Sequence, residues 1–405
     1  MPVRFPVRTL TLIALTAALL PVPALAQAPV TPPPAPSAAG ATQVTRVVVG
    51  DGRTHTLTVL DAETGDPLGG FGTPGKLSGL YAGPGGALAY ALHRDDHRVT
   101  VLHSGLGRVS HGDHDDLVLG APHVLATLNT GPKPTHFFTH RDRIVIFNDG
   151  NGTSSLFGEA TLGLTNDMTV LKAAQPDHGA PALLGDTLLV GMLALNRVDA
   201  FDVRGGQLLR SFPGCPGVHG EAVRANTAYF GCQDGVLAVT VAGKTLSSVK
   251  LTPPSGAPEG TRVGTVTAHD ASARVYGNFG NGLVSWTAAA RTLTALPLPA
   301  APLKFVFSED GKTLVVLTAN GQLHRVDAGT ARVTASLPVV AAFDAADKGA
   351  VRPALAVGGD RAYVTSPSTG EVLVVRLADL GVVRRVKVGG TPAFLALTRV
   401  SGTRH

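Results

Sequence analysis

From Gln43 onward the apolar residues come in short runs rich in Val, Leu and Thr, each closed by a cluster of turn-forming residues. Val47-Val48-Val49 runs into Gly50-Asp51-Gly52, and Thr56–Leu60 into Asp61-Ala62-Glu63-Thr64-Gly65. The same phrase returns near the other end, where Arg361–Thr365, a turn at Pro367-Ser368-Thr369-Gly370 and Glu371–Arg376 follow one another. Between them lie Ala87–Leu92 with Val99–Leu102, Ile144–Phe147, Thr187–Val190 with Val198–Val203, and Ala228–Gly231 with Val236–Val239. Arg274–Gly277 with Gly282–Trp286, and Thr313–Leu317 with Gly321–Val326, continue the series. Little of this keeps a helical period, so the pattern predicts short strands and tight turns.

The unit recurs about every 40 to 50 residues, the spacing of four-stranded propeller blades. Candidate innermost strands start near Leu80, His136, Pro181, Gly220, Gly264, Leu303, Pro353 and Pro392. The expected fold is therefore an all-β, single-domain β-propeller of eight blades over residues 43–400, with seven as the alternative count. The first blade lacks an inner strand of its own, and Thr391–Thr398 can supply it. Such a closure pairs the two chain ends and leaves no open sheet edge.

The ends of the chain read differently. Arg4 and Arg8, the apolar run Leu10–Leu20 and Ala24-Leu25-Ala26 form an export signal over residues 1–26. That run is too short to span a bilayer. Residues 27–42 are Pro- and Ala-rich, which suits a solvated tether, and 401–405 read as a tail. The mature protein is expected to be a periplasmic or otherwise exported monomer with no membrane insertion. Loss of Arg4 and Arg8 takes the formal charge from +5 to +3, and the remaining Lys and Arg are scattered, which argues against a nucleic-acid face. Cys215 and Cys232 are the two cysteines, and in an exported chain a close pair reads as a disulfide.

The fourteen histidines are unevenly placed. His111-Gly112-Asp113-His114 and Pro134-Thr135-His136 lie close together with no helical spacing to explain them. Aligning Ala222-Val223 with Ala356-Val357 sets His219 at the mouth of an inner strand, and the same alignment puts His136 and His178 at or near that position in two preceding blades. Inner strands line the central channel, so these three imidazoles are expected to face one another. Zinc takes about four ligands, imidazole nitrogen and carboxylate oxygen among them. His136, His178 and His219 are the expected zinc ligands on the channel wall, with His111, Asp113 and His114 on a loop folding over it. Asp113 and Glu221 suit either direct ligation or orientation of an imidazole. For any one of these histidines alone, a solvated or hydrogen-bonded residue is the plainer reading. His103, His123, His140, His269 and His324 are read that way. The stretch Asn148-Asp149-Gly150-Asn151-Gly152 reads as a hairpin turn.

Several enzyme signatures are missing: there is no His-Glu-x-x-His, no phosphate-binding loop and no Gly-x-Ser-x-Gly elbow. Trp286 is the only tryptophan, whereas a quinone-dependent propeller dehydrogenase would use several.

On these residues the chain resembles the AztD zinc metallochaperones. The matching pieces are His111-Gly112-Asp113-His114-Asp115, Lys133-Pro134-Thr135-His136-Phe137, Asp149-Gly150, and Cys215-Pro216-Gly217-Val218-His219-Gly220-Glu221-Ala222 with Gly231-Cys232. Phe307-Ser308-Glu309-Asp310-Gly311 and Gly321-Gln322-Leu323-His324-Arg325 are similar too. The resemblance covers nearly all of the mature chain. It implies an exported β-propeller that binds zinc, is not an enzyme, and delivers the metal to the solute-binding protein of a zinc ABC importer. Family members can carry a His- and Asp-rich segment near the mature N-terminus; here that stretch is Pro and Ala. Two other readings are a metal-dependent, lactonase-like propeller hydrolase with an open zinc position, and a metal-free interaction module.

Overall fold

The second strand of each blade is buried through its middle, because it is covered on both faces by neighbouring blades. Leu88–His93 and Thr187–Met192 are wholly buried, and Arg143–Asn148 is buried after its first residue. Such strands read as unbroken apolar runs, whereas the outermost strands, such as Arg332–Pro338, leave most positions exposed or half-exposed. The computed structural model describes Met1 and residues 42–404. The export signal at 1–26 and nearly all of the Pro/Ala-rich segment lie outside the described residues. Residues 42–404 fall within one unit.

Eight four-stranded sheets follow one another around the ring, as the repeat predicts. Numbered in ring order, blade 1 consists of Pro392–Gly402, Thr42–Asp51, Thr56–Asp61 and Pro67–Gly72, from inside to outside. The inner strands of blades 2 to 8 are Gly79–Ala82, Pro134–His140, Gly179–Leu184, His219–Arg224, Val266–Thr267, Pro302–Phe307 and Leu355–Gly358. The C-terminal strand completes blade 1, pairing antiparallel with Thr42–Asp51 from Thr42 opposite Gly402 to Asp51 opposite Pro392. It runs on into the stretch read as a tail, and Thr403 bridges Asp116. One short 3₁₀ turn, Glu159–Thr161, is present among the described residues.

The core lies between blades. Ala182, Leu189 and Val198 of blade 4 pack with Ala228, Phe230 and Val239 of blade 5 in one buried cluster. Trp286 of blade 6, 1% exposed, meets Tyr229 of blade 5 edge-on at 5.7 Å between ring centres. Burying each such side chain stabilises the fold by about 1.5–3 kcal/mol, so every blade depends on its neighbours.

The inner strands all run the same way. The closing strand begins beside Leu77, ahead of the inner strand of blade 2, in a cluster that takes in Phe394. It ends beside Gly86, beyond that strand, where the Arg399 amide donates to the Gly86 carbonyl at 2.7 Å. The channel therefore has one mouth where inner strands begin and another where they end. An extra hairpin, Leu106–Ser110 with Asp115–Leu119, is inserted between the third and fourth strands of blade 2.

Candidate metal centre

His136 is the third residue of the inner strand of blade 3, just past a bulge that follows Pro134. His178 immediately precedes the inner strand of blade 4, and His219 opens that of blade 5. Adjacent blades and matching depth bring one ring nitrogen of each within 4.8 Å of the others. The Nε2 atoms of His136 and His178 face each other at 3.0 Å. The His219 ring centre lies 5.6 Å from that of His136 and 5.0 Å from that of His178. Three nitrogens around a tetrahedral zinc, with Zn–N of about 2.0–2.1 Å, stand roughly 3.3 Å apart. The group is thus close to the spacing zinc requires.

Each imidazole is held from behind. His178 Nδ1–H donates to Asp149 Oδ2 at 2.9 Å. Asp149 is in turn met by Arg94, which also donates to Thr135. The backbone of His178 is fixed by Asp177, whose carboxylate accepts the amides of His178 and Ala194 at 2.8 and 2.7 Å. His219 Nδ1–H donates to the Gly264 carbonyl at 2.7 Å. That approach requires Gly220 beside it: its φ is +71°, and a Cβ there would stand 2.5 Å from the same carbonyl. Cys215 and Cys232 form the expected disulfide, with Cα atoms 5.0 Å apart, and tie the loop before His219 to the second strand of blade 5. His136 Nδ1 faces Glu221 Oε2 at 3.7 Å.

With Nδ1 acting as donor, neutral His178 and His219 turn Nε2 lone pairs inward, the tautomer a metal needs. Burial pulls the His136 pKa down, but the carboxylates of Glu221 and Asp149 outweigh it and hold it above the ordinary value. With His178 Nδ1 bound to Asp149, the 3.0 Å approach of the two Nε2 atoms is a hydrogen bond in which His136 donates. His219 goes the other way: burial lowers its pKa, as do the two neighbouring imidazoles and Arg262, against the Gly264 hydrogen bond. Burial raises Asp149, yet its bonds from His178, Thr135 and Arg94 bring it below the usual carboxylate range. Asp149 Oδ1 and Glu221 Oε2 are buried without a hydrogen-bond partner among the described residues. Two buried carboxylates behind three imidazoles give the negative potential that suits a divalent cation. His136 and His178 side chains keep 16% and 28% exposure, so the group opens onto the lumen.

The structure does not bring His111, Asp113 and His114 to this group, which corrects the expectation of a loop over the histidines. They form the turn of the extra hairpin, whose Asp115 carbonyl and Leu117 amide bond Thr403 at 2.7 and 2.9 Å. Pairing with the end of the closing strand anchors the hairpin beside the opposite mouth. There Asp116 takes His111 Nε2 at 2.9 Å and His114 Nε2 at 3.2 Å, while Asp113 meets His114 Nδ1 at 2.8 Å. His140 sits at the far end of its strand, as the alignment requires. His324 is buried between Thr318 and Ser336. Sequence reasoning missed Asp149 as the partner of His178, having read its stretch as a turn. The turn does form, joining the second and third strands of blade 3, and Asp149 meets His178 there from across the blade boundary.

No family model matches the chain. It is 26% identical over 374 residues to the zinc chaperone AztD of Citrobacter koseri, covering 89% of this chain and 88% of the relative. The crystal structure of Citrobacter koseri AztD superposes with a TM-score of 0.81 at 24% identity, over 90% of this chain and all of that one. Dihydro-heme d1 dehydrogenase NirN matches with a TM-score of 0.63 at 13% identity, over 87% of this chain and 74% of that one. The solved structures show the eight-bladed propeller fold, and the expected likeness to AztD holds along nearly the whole chain. AztD is described as a zinc chaperone, not as an enzyme.

Proposed function

We propose that the chain is an exported zinc metallochaperone that holds one zinc ion on His136, His178 and His219 and hands it to the solute-binding protein of a zinc ABC importer. The observation that carries this reading is the convergence of three ring nitrogens within 4.8 Å, each ring steadied by a group behind it. Similarity to a zinc chaperone points the same way. The disulfide fits an oxidising, exported setting.

Three neutral nitrogens without a thiolate leave a fourth coordination position toward the lumen. An incoming ligand from an acceptor can enter there before the first imidazole leaves, so the ion never has to cross free solution. Asp149 and Glu221 orient the rings and offset the charge of the ion; no chemical step is asked of them.

The test is a transfer experiment. Zinc-loaded protein is mixed with the metal-free solute-binding protein while a chromophoric chelator reports zinc released to solution. The account expects zinc to reach the acceptor faster than it reaches the chelator when no acceptor is present. Equal rates would reduce the protein to a passive zinc store.

A further inference from the structure

We infer that the channel wall facing the three histidines is a binding site for a small dicarboxylate anion, held by Lys304, Arg352 and Lys76. The inference rests on the zinc reading only for what the anion faces.

The repeat shows the relationship. Lys304 is the third residue of the inner strand of blade 7, just past a bulge after Pro302, opposite the fifth residue of the second strand, Leu317. His136 has the same register in blade 3, past a bulge after Pro134 and opposite Phe147. Blade 7 is four blades from blade 3 in an eight-blade ring, so the ammonium group starts diametrically across the channel from the imidazole, at the same depth. Arg352 stands at the entrance of blade 8, which lies across from blade 4 and His178. Lys76 stands at the entrance of blade 2.

These three cations line one cavity of about 500 Å³ at the mouth where inner strands begin, together with Ser78, Tyr81 and Phe394. Among the described residues no carboxylate lines it. All three are exposed to the cavity, and none has an ion pair among the described residues. The Arg352 guanidinium lies over the Phe343 ring at 5.6 Å. Lys304 is enclosed by protein although it opens onto the lumen: burial, then the charge of Arg352, lowers its pKa. Like charges gathered with no counter-ion repel one another, and a dication on the opposite wall adds to that repulsion. An anion between them removes both penalties.

The chemistry narrows the class. A guanidinium and a separate ammonium suit two oxyanion ends, the first by its planar fork and the second as a point charge. Phe394 and Tyr81, the latter stacked on Phe137 at 4.8 Å, offer apolar cover for a short carbon chain between them. The volume is in the range of small-molecule sites. Burial and then the Glu221 carboxylate push the Tyr81 pKa up to about 12, keeping it a phenol.

Isothermal titration of succinate into the metal-free and the zinc-loaded protein tests this. Saturable binding of one succinate per chain is expected in both forms, with Lys304→Met and Arg352→Met each weakening it about tenfold or more. His136→Ala should leave succinate binding by the metal-free protein intact, which separates failure of the zinc reading from failure of this one. Absence of saturable heat from folded wild-type protein would overturn the inference. So would wild-type affinity in both cation variants, or inorganic phosphate binding as tightly as succinate.

Discussion

Asp149 receives the Nδ1–H of His178 at 2.9 Å from a neighbouring blade, and Arg94 of a third blade meets the same carboxylate oxygen at 3.3 Å. The contact fixes the tautomer in which His178 Nε2 is free to bind metal. Replacing Asp149 with Asn keeps the size of the side chain and removes its charge. The expected result is a loss of zinc affinity of roughly 10- to 100-fold, read by competition with a chromophoric chelator. Unchanged affinity would mean that the contact does not steady the ring.

The hairpin turn offers a control. His111 and His114 are at the opposite mouth, bound to Asp116, with side chains 51% and 41% exposed. His111→Ala with His114→Ala should leave tight zinc binding at the channel histidines unaltered. The measurement is chelator competition on the double variant beside wild type, and a large loss of affinity would return the hairpin to the main site.

Position in the repeat was legible because blades repeat. The strand runs, the closure by the C-terminal strand and the matching of His136, His178 and His219 all follow from one spacing applied around a ring. The hairpin broke that spacing: it is an insertion with no counterpart in the other blades, so the repeat could not say which mouth it serves, and His111, Asp113 and His114 were misplaced. Asp149 was hidden for a different reason. It acts across a blade boundary, and a residue in a turn carries no mark in the sequence of the neighbour it will face. Lys304 shares the register of His136 but not its chemistry, so a search for metal ligands passes over it.

The disulfide should matter to the site as well as to stability. Cys215 and Cys232, at a sequence separation of 17, close a loop that contains His219. On the chain-entropy model such a cross-link stabilises by roughly 3 kcal/mol. The Cys215→Ser, Cys232→Ser variant should melt several degrees lower and bind zinc more weakly, as calorimetry with and without zinc will show. An unaltered melting temperature would mean that the loop is held by its other contacts alone.

Closure of the ring gives a pH signature away from the metal. Asp51 accepts the amides of Thr391, Arg53 and Thr54 at 2.6 to 2.7 Å, tying the start of the closing strand to its partner. Burial alone would raise its pKa; the three amides outweigh it and hold it below the usual value of 3.8. A carboxylate depressed on folding contributes stability above its unfolded pKa and loses it as pH falls through the folded value. Wild type should therefore exceed Asp51→Asn in melting temperature at neutral pH, with the gap narrowing below about pH 4. A gap that stays constant with pH would assign the difference to packing.

The central claim is that three imidazoles from successive blades share one ion. Diffraction data from zinc-soaked crystals, collected above and below the zinc absorption edge, test it directly. The account predicts a single strong anomalous peak within about 2.0–2.1 Å of ring nitrogens of His136, His178 and His219. A fully loaded crystal whose peak lies elsewhere, with those three nitrogens unliganded, would contradict it.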